Sequence, residues 1–242
     1  MTSLREARNI FNWHSGRARY IFVHIPKNAG VAVRKAPALA DRIVASDPYF
    51  HKSRAYTRAV AEAMRANGEH HGFQHARWRD LHPKVTARLR AVAVVRNPWA
   101  RTVSRYRFAQ RVAELGKAGG HETAPSFEAF LEERHVYGGR PHYWHRAIRG
   151  WYPQTDYVVD AAGVLRADIL RHEYLSDDAM GYFGIDEPLR RRNRSGERVA
   201  HRDFYDARTI QIVADWYAED IALFDFDFDT PARRNAVFAE PG

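Results

Sequence analysis

The chain of 242 residues contains no cysteine, which excludes structural disulfides and thiolate metal sites without fixing a compartment. Long apolar runs are missing too. The longest purely aliphatic one is AVAVV at 91–95, far short of the roughly 20 residues that a membrane-crossing helix needs. The first twenty residues, MTSLREARNIFNWHSGRARY, scatter charge along their length and hold no apolar stretch of the kind a secretory leader carries. A cytoplasmic location is the expectation, since secretion or anchoring would need another signal. Acidic residues are in the minority, 29 against 38 Lys and Arg, for a formal charge of +9. Such a balance selects anionic partners as a class, whether nucleic acid, acidic lipid, sulfated or carboxylated glycan, or nucleotide. No internal repeat or long linker divides the sequence. With 45% hydrophobic residues it can bury a full core, and a single domain over 1–242 is expected.

What the sequence does hold is a short apolar strand that runs straight into a lysine and a glycine, FVHIPKNAG at 22–30. Ile21, Phe22 and Val23 read as buried strand, Pro26 fixes the exit from the sheet, and Gly30 lets the backbone turn close to a ligand. A helix opening there presents unpaired N–H groups, and with Lys27 they suit phosphate or a similar anion. The order differs from the ATP-binding GxxxxGK[ST] loop. Lys27 comes first, and Asn28, Ala29, Gly30, Val31, Ala32 and Val33 follow it with no hydroxyl to hold magnesium. A nucleotide would be held here without metal. The bland alternative is an ordinary strand-to-helix junction with Lys27 in solvent.

Apolar strands alternating with helical stretches predict an α/β fold of three layers, a mostly parallel central sheet flanked by helices. Strands are expected at 20–24, 91–96 and 165–171, and helices at 55–67, stopped by Gly68, and from Pro98 to about Arg111. Near the C-terminus Ile210, Val213, Tyr217, Ile221 and Phe224 recur at helical spacing as core residues, with Asp206 capping the start. GKAGGHETAPS, 116–126, reads as an exposed loop or a lid, with Ser126 a cap for FEAFLEE; RRRNRSGER, 190–198, reads as a polar loop.

A second constellation, AVAVVRNPWARTVSRYR at 91–107, is again strand into helix. Arg96 ends the strand, Asn97 caps and Pro98 takes the first helical position. Arg101 and Ser104 can share a face near Arg96, where a forked guanidinium and a hydroxyl would grip an anion with several acceptor oxygens. Two such sites in one domain imply a ligand charged at both ends.

FVHIPKNAG followed by VVRNPWARTVSRY resembles the paired signatures of sulfotransferases that use the sulfate donor PAPS (3′-phosphoadenosine 5′-phosphosulfate), especially the bacterial and carbohydrate branch. The likeness extends through WYPQTDYVVDAAGVLRADILRHEYL, 151–175, and NRSGERVAHRDFYDARTIQIVADWYAEDIALFDF, 193–226, so that it covers most of residues 20–226. It implies a P-loop-like sulfotransferase fold. It also implies that residues 27–32, namely Lys27, Asn28, Ala29, Gly30, Val31 and Ala32, hold the 5′-phosphosulfate, and that Arg96 and Ser104 hold the 3′-phosphate. Asn193 and Ser195 match a family loop that closes over the bisphosphate. The implied reaction moves a sulfuryl group from PAPS to a hydroxyl or amine of an acceptor, a carbohydrate in this branch, leaving PAP, the adenosine 3′,5′-bisphosphate. Lys27 would stabilise the leaving oxygen. No metal, nucleic acid or membrane span is expected, and the oligomeric state is left open.

Related loops read like PKTGGTS, whereas this one has Asn28 for the first threonine and Val31 and Ala32 in place of two hydroxyls. A net hydrogen bond contributes about 0.5–1.5 kcal/mol and more to a charged group, so donor affinity falls by roughly ten- to a thousandfold unless other groups compensate. A nucleotide- or polyanion-binding protein unable to transfer sulfate is the alternative reading. For a general base, GEHHGFQHARWRD at 68–80 offers His75 first and His71 as the fallback. Glu173 is a further candidate, against a structural role beside Arg171. The pairs His71 with His75 and His142 with His145 have helical metal-ligand spacing but no third ligand. HYWHRAIRGWYP, 142–153, could stack a sugar or adenine, against the plainer reading of buried aromatics.

Overall fold

The computed structural model describes residues 4–116, 123–189 and 200–230. Four strands, β1 (Tyr20–Val23), β2 (Ile43–Ala45), β3 (Arg90–Val95) and β4 (Asp168–Arg171), pair in the order β2-β1-β3-β4, every neighbour parallel. Parallel strands need long crossovers, and helices supply them. They are α1 (Leu4–His14), α2 (Gly30–Arg34), α3 (Arg54–Ala66), α4 (Pro83–Thr86), α5 (Pro98–Glu114), α6 (Phe127–Tyr137), α7 (Thr155–Val158), α8 (Leu175–Phe183), α9 (Ala207–Trp216) and α10 (Ala218–Phe224).

Strand alternation divides the core in two. Ile21, Val23, Ala93 and Val95 face a cluster built with Val60 of α3, Val103 of α5, Phe130 of α6 and Phe224 of α10. Phe22, Val92, Val94 and Leu170 face the other way, onto Val33 of α2 and Leu175, Ala179 and Phe183 of α8. The three layers expected from the sequence are therefore present. Register aligns the strand ends: Phe22 lies opposite Val92 and Val23 opposite Ala93, so the turns leaving β1 and β3 emerge side by side at one end of the sheet.

Several expectations are corrected in detail. β2 has no counterpart among the expected strands; it is a three-residue edge strand between Arg42 and Ser46, too short to show a period. β4 starts at Asp168, because Leu165 pairs instead with Val159 as an isolated bridge. The C-terminal helix is two, broken at Tyr217 with φ −115° and ψ 30°; Val213, Tyr217 and Phe224 are buried while Ile210 and Ile221 are only partly so. Asp206 does cap α9, in a capping box with Thr209, and Ser126 caps α6 by accepting from Ala129 N. Most of the 116–126 loop and all of 190–198, with Asn193 and Ser195, lie outside the described residues.

Candidate functional site

β1 gives way to a turn in which Lys27 (φ 70°) and Ala29 (φ 58°) both adopt left-handed backbone, a conformation that L-residues reach only at a cost. Alternating such residues with ordinary ones folds successive N–H groups into a concavity suited to an anion. None of the N–H groups of Asn28, Ala29, Gly30 and Val31 donates to a group among the described residues. α2 has only five residues, so its dipole is small and the N–H groups and Lys27 carry the site. Lys27 Nζ sits 4.0 Å from the centre of the Phe108 ring. Burial, reinforced by the guanidinium groups of Arg96, Arg111 and Arg105, pulls its pKa down to about 8. A bound anion would offset that depression.

The carboxamide of Asn28, one of the expected ligand contacts, turns inward. Its Nδ2 donates to Val94 O at 2.8 Å and to Gln154 Oε1 at 2.5 Å, which leaves the backbone N–H of Asn28 for a ligand. Val31 offers its backbone N–H alone, and the N–H of Ala32 is taken up by Ala29 O at 2.8 Å.

On the adjacent turn, Asn97 Oδ1 accepts from Trp99 N and Ala100 N at the start of α5, and its own N–H donates to Glu173 Oε1 at 3.0 Å. Glu173 thus positions the turn that follows Arg96. Arg96 Nη1 lies 3.4 Å from Lys27 O, its buried Nε has no partner among the described residues, and Ser104 is half-buried two turns along α5. Burial brings the Arg96 guanidinium down to about 10, against the attraction of Glu173 and with Arg101 adding to the fall. Arg101, which the spacing placed beside Ser104, turns part of its guanidinium to the first loop and leaves its buried Nη2 with no partner among the described residues. It is 1% exposed and donates to Pro26 O at 3.4 Å and Tyr152 O at 3.1 Å, bracing the first loop from beneath.

Gln154 ties the two turns together and carried no role in the sequence. Fully buried, it accepts from Asn28 Nδ2 and from Arg96 N (2.8 Å), and donates to Arg96 O (2.9 Å) and Asp220 Oδ2 (3.1 Å). Replacing it by leucine takes this partner from Arg96 N, Arg96 O and Asp220 Oδ2, while Asn28 Nδ2 keeps Val94 O, and unpaired buried groups cost about 1–3 kcal/mol each before relaxation. Gln154→Leu is therefore expected to destabilise the protein by about 3–5 kcal/mol in urea unfolding. A loss under about 1 kcal/mol would mean that the bonds do not order the turns.

The structure brings His75 to the same end of the sheet. Its Nδ1 lies 2.7 Å from His24 O and its Nε2 3.2 Å from Gln74 Nε2, and the two imidazole rings are 4.3 Å apart. Because a carbonyl only accepts, Nδ1 carries the proton and Nε2 the lone pair. Burial is the main force pulling its pKa down to about 4, so the ring is neutral. His71 is half-buried, its ring packed against those of His70 and Phe73. His145 is engaged with Tyr56 OH (2.8 Å) and Gly72 O (3.1 Å). Among the described residues no three His, Asp or Glu side chains converge as a metal site requires. Tyr143, Trp144 and Trp151 are 7% exposed or less, so the aromatic segment 142–153 is core rather than a stacking platform. No helix of the described residues is long and apolar enough to cross a membrane.

Comparison with known proteins adds three findings. A family model described as a sulfotransferase domain matches residues 12–158, more than half of the chain. The crystal structure of a sulfotransferase from Alicyclobacillus acidocaldarius is similar at 16% identity and a TM-score of 0.40, over 88% of this chain and 97% of that one. No curated protein matches.

Proposed function

The chain belongs to the sulfotransferase family, and on that premise we propose that it transfers a sulfuryl group from PAPS to a hydroxyl or amine of an acceptor, most fittingly an anionic carbohydrate. The observation that carries this reading is the pairing of the two strand-to-helix turns. Parallel register sets them side by side, with Arg96 reaching the Lys27 carbonyl at 3.4 Å, so one extended ligand anionic at both ends can bridge both. The groups present suit PAPS: N–H groups at 28–31 with no partner among the described residues for the 5′ end, and Arg96, whose Nε is likewise unpartnered among them, with Ser104 for the 3′-phosphate. PAPS brings the activated sulfuryl group, and the chain supplies charge, orientation and a proton acceptor.

Lys27 neutralises negative charge on the oxygen that departs with PAP, as cationic clamps do in phosphoryl transfer. His75 is proposed as the general base, its lone pair on Nε2 being the one that would take the acceptor's proton. An anionic donor nearby would raise its basicity from the ligand-free value. The net charge of +9 matches a polyanionic acceptor as well as the donor. All of this is proposed for one domain.

Thermal unfolding with PAP, compared with ATP plus magnesium and with duplex DNA, tests donor recognition. Stabilisation by PAP alone is expected, and its absence at millimolar PAP counts against the reading. Arg96→Ala should weaken PAP binding by about ten- to a hundredfold and Ser104→Ala by up to about tenfold, from the usual worth of charged and neutral hydrogen bonds. Unchanged affinity in Arg96→Ala, measured by calorimetry, would move the 3′-phosphate elsewhere.

A further inference from the structure

His24 belongs to the first loop motif, FVHIPKNAG, yet charge stabilisation falls to Lys27 and proton transfer to His75. Strand alternation turns His24 to the face of Phe22, on which its ring stacks at 5.6 Å between centroids. On that face α2 begins, and the ring lies directly against Gly30. A Cβ at position 30 would fall 1.9 Å from His24 Cδ2 and 2.0 Å from Nε2, so only glycine lets the imidazole edge come this close to the loop.

The ring's proton is placed by its neighbour. Arg34 Nη1 lies 3.3 Å from His24 Nδ1, and because guanidinium can only donate, Nδ1 is the acceptor and the hydrogen sits on Nε2. Burial first, then the neighbouring His75 and Arg5, hold the ring's pKa well below its ordinary value, so it is neutral with a single N–H. His24 is 5% exposed, and Nε2 has no hydrogen-bond partner among the described residues. An unused donor on a side chain this buried, beside unused backbone donors at 28–31, points to an anion.

We propose that His24 is a donor-binding residue, its Nε2–H serving the 5′-phosphosulfate end of the ligand in place of the side-chain hydroxyls that Val31 and Ala32 lack. This rests on the PAPS reading above. Arg34 is the positioning residue that fixes the tautomer, and Gly30 is the opening through which the ring meets the loop. The missing hydroxyls therefore do not leave the loop short of side-chain donors.

Two probes separate this inference from the reading beneath it. Adenosine 5′-phosphosulfate engages the 5′ end and adenosine 3′-monophosphate the 3′ end. Calorimetry on His24→Phe should show affinity for the phosphosulfate reduced about ten- to a hundredfold with the 3′-monophosphate unchanged, and His24→Gln, which keeps an N–H, should recover part of the loss. If the native protein binds both probes and His24→Phe binds them equally well, the role of His24 is overturned while the donor site stands. If the native protein binds neither, both fall. Should the phenylalanine variant fail to fold, nitrogen-15 NMR of the native protein decides. An Nε2–H tautomer whose Nε2 resonance moves on adding the phosphosulfate supports the proposal, and an Nδ1–H tautomer or an unmoved resonance overturns it.

Discussion

Lys27→Met is expected to lower sulfuryl transfer by about two to three orders of magnitude while leaving the thermal midpoint unchanged or raised, the rate loss being that seen when one preorganised charge-stabilising group is removed. The two halves of this expectation have one origin. Lys27 is held in a left-handed turn, packed on Phe108 and surrounded by Arg96, Arg105 and Arg111, and burial with these like charges already disfavours its ammonium in the ligand-free protein. Methionine fills the same space without the charge, so the fold keeps its packing and sheds a repulsion. The pH dependence gives an independent check. With a pKa of about 8, Lys27 loses its proton as pH rises through that value, so PAPS affinity should fall above pH 8 in the native protein, with proton uptake on binding there. In Lys27→Met this limb should disappear. A variant retaining more than about a tenth of native turnover would remove Lys27 from the reaction.

The two strand-to-helix turns were legible in the sequence because each is a strand of apolar residues closed by a local signal. Pro26 and Gly30 mark one, Asn97 and Pro98 the other, and both marks depend on neighbours in sequence. The fold class followed from the same strands. What escaped was set by partners far along the chain. Gln154 lies 58 residues from Arg96 and 126 from Asn28, and no spacing reveals that its carboxamide bonds to both. Arg101 illustrates the converse. Helical spacing correctly put it beside Ser104, but the carbonyls of Pro26 and Tyr152 take its Nε and Nη1, contacts that only the packed loop creates. His24 lay within reach of sequence reasoning, since alternation from Phe22 assigns its face. The signal it lacked was the glycine at 30, whose missing side chain looks like freedom for a turn and is in fact room for an imidazole.

Acid should begin to destabilise this protein above the pH at which carboxylates ordinarily titrate. His24, His51, His75 and His145 are all buried and neutral, and burial is in each case the leading cause that pulls the pKa down. A group whose folded pKa is depressed binds its proton more readily in the unfolded chain, so stability falls as pH drops below the unfolded value near 6.5 and stops falling only at the folded one. For His75 that lower limit is about 4, and at pH 5 the loss from this ring alone comes to about 2 kcal/mol, or about 4–8 °C in midpoint for a chain of this size. Asp80 does not offset it: Arg77 and Lys52 overcome the opposing effect of its burial and keep its carboxyl below the ordinary range. Asp220 and Glu133, raised by burial, work in the opposite sense. Thermal midpoints measured at pH 7.5, 6 and 5 should therefore decline steadily, and His75→Asn, which keeps a neutral polar side chain, should flatten the slope. A midpoint constant from pH 7.5 to 5 would mean that the four rings take up protons as readily folded as unfolded, and that the neutral histidine on which both the base and the donor contact depend is not what this end of the sheet holds.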